Sequence, residues 1–328
     1  MKGKGQHKQS RRRAVSVNAS RAWLTFPRTR RCRRDDMKSL WRLTLRRPPM
    51  TATVSFATVA LLGLFASAAP AVGERAASPA YPDSIAVVGH SFATGEGVSG
   101  PRAFRIRNSW ITGDTTAVQS LYSRILARNP AIRGNKFNLA IGGADVASML
   151  LQARKAVTIK PAPELVVVVS MDNDITCDMT SHRPFQVAFA RVLEVLATGL
   201  PDARIFVTSQ FGSTPSYITS LTLRQRVNQR SRISPASGPC AFLDARGAPI
   251  PKGVAYLEAV IHRYEAAVAA ACKAVATCRS DGGAFGRVVF RPEYISWDLI
   301  HLAAPGQAKS AAVAWAALKS VGIIPRSG

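Results

Sequence analysis

Between residues 82 and 321, short apolar runs rich in β-branched residues alternate with longer amphipathic stretches, which limits the chain to a small set of folds. The runs fall at 84–88, 137–140, 165–169, 205–208 and 287–290. The amphipathic stretches fall at 116–128, 145–155, 184–198, 254–275 and 305–321. Strand followed by helix, repeated, predicts a parallel sheet covered by helices on both faces. The run at 165–169 is Leu-Val-Val-Val-Val, with no polar alternation, as expected of a central strand buried on both sides. Residues 209–253, rich in Pro and Ser, form a long insertion, and no internal repeat is evident. In open sheets of this kind ligands sit beyond the carboxyl ends of the strands, so chemistry is sought in the loops that follow them.

A formal charge of +25 suggests a nucleic-acid partner until its distribution along the chain is considered. Residues 1–50 hold 16 Lys and Arg against Asp35 and Asp36, a net of +14, which leaves +11 for everything else. Residues 51–72 carry no ionisable side chain. An apolar segment at 54–65 follows Arg46 and Arg47 and runs into Ala66, Ser67 and Ala68. That is the layout of a secretory signal peptide with a small-x-small cleavage site. The competing reading is an uncleaved membrane anchor, because 51–72 nearly reaches the roughly 20 apolar residues that a spanning helix needs. Residues 1–69 are therefore read as a basic leader plus signal peptide, 70–82 as a linker and 83–325 as one domain of an exported protein. Met37 and Met50 are alternative starts that would shorten the basic front. A nucleic-acid partner is not expected.

Cys32 falls in the leader, and Cys177, Cys240, Cys272 and Cys278 remain. An even number suits an oxidising compartment. Four cysteines allow three connectivities. The close spacing of Cys272 and Cys278 suits a staple between a helix end and the following loop, which would pair Cys177 with Cys240. There is no C-x-x-C, and His182 is isolated, so no metal site is expected.

Three loops after strands carry reactive side chains. Gly89-His90-Ser91-Phe92 follows the first run, with Gly95 and Gly97 close behind, so a sharp turn can raise the Ser91 hydroxyl above the sheet. Gly142-Gly143-Ala144 follows the second run and leaves backbone N–H groups free at a helix start. Asp172-Asn173-Asp174 follows the third. Near the C-terminus, Asp298-Leu299-Ile300-His301 precedes the last helix. Singly, each has a structural explanation as a cap or turn residue. In this order they supply a nucleophile, oxyanion donors, a base and a group to orient it.

These residues resemble the SGNH hydrolase superfamily, also called GDSL esterases and lipases, and specifically its secreted actinobacterial branch. The likeness spans roughly residues 82–321. It includes Asn108-Ser109-Trp110, Asn138-Leu139-Ala140, Asp281-Gly282-Gly283-Ala284 and Pro305-Gly306-Gln307. It implies a three-layer α/β/α fold on a five-stranded parallel sheet of flavodoxin-like type. It also implies Ser91 as nucleophile, His301 as base, Asp298 as its orienting acid, and Ser91, Gly143 and Asn173 as oxyanion donors. No cofactor is implied. The expected partner is a small-molecule or polymeric ester met by a monomer. His90 and Met171 stand where the family has an aspartate and a glycine, which leaves a non-catalytic binding protein on the same fold as the alternative. Substrate choice falls to residues 99–114, with Arg102, Phe104, Arg105, Arg107 and Trp110, and to 209–253, with Phe211, Tyr217, Ile218 and Leu221.

Overall fold

The computed structural model describes residues 80–98, 100 and 106–326. The leader and signal segment, most of the linker, Cys32, Arg102, Phe104 and Arg105 lie outside the described residues.

Five parallel strands form one sheet in the order β2-β1-β3-β4-β5. They are β1 (Ile85–Gly89), β2 (Lys136–Asn138), β3 (Leu165–Val169), β4 (Arg204–Val207) and β5 (Cys278–Ser280). Every residue of β1 and β3 is buried, and the pleat divides them between two cores. Ile85, Val87, Leu165, Val167 and Phe206 face one core together with α1 (Leu121–Leu126) and α8 (Ala304–Ser320). Ala86, Val88, Val166, Val168 and Ile205 face the other, covered by α2 (Val146–Ala156), α3 (His182–Gly199) and α7 (Pro251–Lys273). Helix α3 shows why such a layer forms. Phe185, Phe189, Val192 and Leu196 recur at helical spacing and are all buried on one face.

The alternation read from the sequence holds for four of the five strands. The fifth does not lie at 287–290. The strand is Cys278–Ser280, paired with β4 through Ile205 and Cys278, Phe206 and Arg279, and Val207 and Ser280. The true edge strand is short and polar, held by its ladder and by the Cys272–Cys278 disulfide rather than by apolar burial. With β5 beside β4, residues 287–290 have no partner strand. Val288 packs into the core, Val289 is exposed, and Phe290 turns to a cavity described below. The first helix is also shorter than the 116–128 stretch, because Gln119 takes a left-handed φ of 50° and Ser120 caps the helix by accepting from Ser123 N–H.

The insertion at 209–253 contains three short helices, α4 (Thr214–Ser220), α5 (Leu223–Asn228) and α6 (Arg230–Ile233). Ser213 and Thr222 each close a capping box at the starts of α4 and α5. Both disulfides are formed, Cys177 with Cys240 and Cys272 with Cys278. Among the described residues no helix is long and apolar enough to cross a membrane.

Phe206 is fully buried in the core on the α1 and α8 face of the sheet, so truncation to Ala leaves a cavity. Phe206→Ala is expected to lower the unfolding free energy by about 3–5 kcal/mol. Chemical denaturation with both disulfides intact measures this, and a loss under about 1 kcal/mol would show that the sheet core is not packed as described.

Candidate active site

The turn after β1 raises Ser91. His90 is buried and caps the short helical turn Ser91–Ala93, its Nδ1 accepting from the Phe92 N–H at 3.4 Å. A second row of side chains supports the same turn. Ser109 Oγ donates to Ala93 O at 2.6 Å, and Asn138 Nδ2 donates to it at 3.0 Å. Trp110 Nε1 donates to Phe92 O, and Gln307 Oε1 accepts from the Trp110 N–H. Trp110 is thus a fully buried strut rather than a contact for substrate, and Arg107 pairs with Asp114 at 3.4 Å.

His301 is held by its own loop. Its Nδ1 lies 2.6 Å from Asp298 Oδ2, while Asp298 Oδ1 accepts from the backbone N–H groups of Ile300 and His301, both at 3.0 Å. Burial alone pushes the Asp298 carboxyl up, but the hydrogen bonds from the His301 ring and the two backbone amides outweigh it and hold the group below the usual carboxylate range. An ionised Asp298 only accepts, so Nδ1 carries the proton and Nε2 is left as an acceptor. Leu299, inside this loop, has a left-handed φ of 62°, and its carbonyl accepts from the Tyr217 hydroxyl at 2.5 Å. Burial and the charge of Asp298 push that phenol up, which keeps it a donor.

Ser91, Asn173 and His301 line one cavity of about 410 Å³ at the C-terminal edge of the sheet. Its remaining walls are mixed: Phe92, Phe211, Phe242, Leu257, Ile261 and Phe290 give apolar surface, and Asp172, Gln210, Ser213, Thr214 and Arg232 give polar groups. A volume of this size falls in the range of roughly 300–1,000 Å³ that holds small organic ligands. Asp298 sits behind the imidazole. Gly143 does not line the cavity. It lies on the neighbouring loop at a φ of 74°, and Asn173 Nδ2 reaches that loop by donating to Ala144 O at 2.9 Å.

Both departures from the family pattern find a local explanation. Asp172 turns to His90, its Oδ2 3.3 Å from His90 Nε2 without a formed hydrogen bond, and burial pushes its carboxyl up against the attraction of that ring. Met171 takes the left-handed φ of 78° that a glycine would adopt without strain. The residue is 1% exposed and belongs to the core that α2, α3 and α7 cover, and this burial offsets the backbone cost.

Sequence reasoning missed Glu96. Its Oε2 lies 3.8 Å from His301 Nε2, placing a second carboxylate on the side of the ring opposite Asp298. Gly97 follows it, where a Cβ would stand 2.7 Å from His301 Cβ and 2.8 Å from Ser296 Oγ. The Gly95-Glu96-Gly97 spacing just after Ser91 was the available signal, since paired glycines around an acid mark a backbone pressed against a neighbour.

No family model matches this chain, and no curated protein matches it in sequence. Among solved structures, it is similar to phospholipase A1 from Streptomyces albidoflavus, at 13% identity and a TM-score of 0.45, over 71% of this chain and 98% of that one. It is also similar to a family 3 carbohydrate esterase from Clostridium thermocellum, at 14% identity and a TM-score of 0.43, over 73% of this chain and 96% of that one. A third likeness is to the acetyl xylan esterase AlAXEase, at 14% identity and a TM-score of 0.42, over 72% and 99%.

Asp174 supplies a pH test of this region. Both of its oxygens accept from the Val146 N–H at the start of α2. Burial, reinforced by the charges of Asp145 and Asp172, outweighs that bond and raises its carboxyl to about 6. The folded value lies above the ordinary carboxylate value, so the stability tied to the extra proton is present at low pH and is lost as pH rises through about 6. Asp174→Asn lacks this loss. The difference in Tm, variant minus wild type, is expected to grow between pH 4 and pH 7, and a constant difference would refute the assignment.

Proposed function

We propose that this chain is an exported serine esterase of the SGNH hydrolase type that cleaves carboxylic esters. One observation carries the reading: His301, held by Asp298 at 2.6 Å, shares with Ser91 one cavity at the sheet edge. In this reading His301 Nε2 takes the Ser91 proton as the hydroxyl attacks the ester carbonyl, and Asp298 keeps the ring in the required tautomer. Negative charge on the carbonyl oxygen is met by the backbone N–H of Ser91 and by the N–H of the Asn173 amide that is not given to Ala144 O, and the Gly143 N–H, outside the cavity lining, joins them only when its loop shifts inward on substrate binding. Each such donor contributes roughly a hundredfold or more in rate. His301 then protonates the departing alcohol, and a water molecule, activated by the same ring, releases the acid. The apolar part of the wall favours an acyl group with a hydrocarbon portion. Two disulfides support export to an oxidising compartment.

Glu96 adds a charge contribution. Once the ring is protonated, a carboxylate near 4 Å stabilises it by about 1 kcal/mol in water and about 4 kcal/mol in a partly shielded site. The Glu96 side chain is 36% exposed, which puts the effect toward the low end.

Ser91→Ala and His301→Ala are each expected to abolish hydrolysis of a short p-nitrophenyl ester while retaining the wild-type Tm. A fluorophosphonate probe should label wild-type protein at Ser91. Full activity in either variant, or absence of labelling, would sink the proposal. Glu96→Gln should lower kcat on the order of tenfold with KM little changed, and an unaltered kcat would remove Glu96 from the mechanism.

A further inference from the structure

We propose that the sheet edge around the cavity mouth docks onto anionic lipid bilayers. This inference rests on the esterase reading and names the source of its substrate, a lipid ester held in a membrane or lipid aggregate.

The first support is where apolar side chains are left in water. Nine large ones are exposed among the described residues, and seven of them lie in connections that leave a strand and lead to a helix, the insertion helices included. Only Leu151 and Val187 lie on the helices that cover the sheet. In a parallel sheet all such connections gather at the carboxyl edge, where the cavity opens. Ile141 follows β2, Leu223 and Val227 lie on α5, and Val289, Trp297 and Ile300 follow β5. An apolar distribution this one-sided marks a contact surface, whereas singly scattered residues would not.

The second support is charge. Residues 209–243 contain Arg224, Arg226, Arg230 and Arg232 and no Asp or Glu. Among the described residues none of these four arginines is within ion-pair distance of an acid, a state they share with most other arginines there, so what sets the segment apart is four cations in 35 residues with no acid among them. Arg232 and Ile300 are both exposed and both line the cavity, so cation and apolar side chain meet at its mouth. Two acids lie near that rim, and each faces a histidine: Asp172 is beside His90 and Glu96 beside His301.

Cations alone would suit any soluble polyanion. Cations beside exposed Leu, Val, Trp and Ile suit a bilayer, whose headgroups meet the charge and whose acyl boundary receives the apolar tips. Each arginine at an anionic leaflet strengthens attachment roughly fivefold. Phe211, Phe242 and Phe290 in the cavity wall offer apolar surface to an acyl chain that enters from the bilayer.

Site-resolved amide hydrogen exchange on the full chain carrying Ser91→Ala tests this, with vesicles of mixed phosphatidylglycerol and phosphatidylcholine and with phosphatidylcholine alone. The expected result is slowed exchange in α5, α6 and the 296–302 loop with the anionic vesicles only. Adding Leu223→Ser and Arg224→Gln should raise the lipid concentration for half-protection on the order of tenfold. Exchange in β1, β3 and α3 reports that the variant is folded. Protection confined to residues 1–79, or equal protection by phosphatidylcholine alone, would overturn the inference. Protection of the same segments by heparin, insensitive to Leu223→Ser, would overturn it in favour of a soluble polyanion. The Ser91→Ala background separates docking from turnover: an unlabelled Ser91 in wild type refutes the esterase reading, and an unprotected edge refutes this one.

Discussion

Burial of β1 and β3 on both faces is the constraint from which the site follows. Nothing polar can be placed along those strands without a partner, so side chains able to do chemistry are displaced to the loops at the strand ends. Because all five strands run the same way, the loops after β1, β2, β3 and β5 gather at one edge. Ser91, Asn173 and His301 meet there, although roughly 210 residues separate the first from the last. The sheet brings them close, and each loop then sets its own side chain by local hydrogen bonds.

What the sequence disclosed follows the same logic. The central strands were legible because double-sided burial writes an unbroken apolar run such as Val166–Val169. The edge strand was not, because Cys278-Arg279-Ser280 is kept by ladder bonds and a disulfide that leave little trace in hydropathy. A more apolar run at 287–290 competed for the assignment and lost for want of a partner. Likewise, the Asn-Ser-Trp block and Gln307 were visible as motifs, but their sequence does not say that Ser109 and Trp110 hold the carbonyls of Ala93 and Phe92 just after Ser91, with Gln307 accepting from the Trp110 N–H.

The site divides in the same way. Asp298 and His301 are three residues apart, so one loop sets their geometry and the spacing alone suggested it. Glu96 approaches His301 from another part of the chain, and no local pattern states which ring it will face. Met171 illustrates a different limit. A methionine in a left-handed conformation goes against local propensity, and it is tolerated because the residue is buried in the core on that face of the sheet.

The insertion helices are attached to both halves of the site by chemically different bonds. Cys240 joins them covalently to Cys177, four residues past Asn173, and the Tyr217 hydroxyl joins them to the carbonyl of Leu299 between Asp298 and His301. The same segment supplies Phe211 and Phe242 to the cavity wall. Selection acting on wall shape therefore also acts on the alignment of base and oxyanion donors. A homologous segment of different length could be exchanged here only if it carried its own cysteine and its own tyrosine to the same two anchor points.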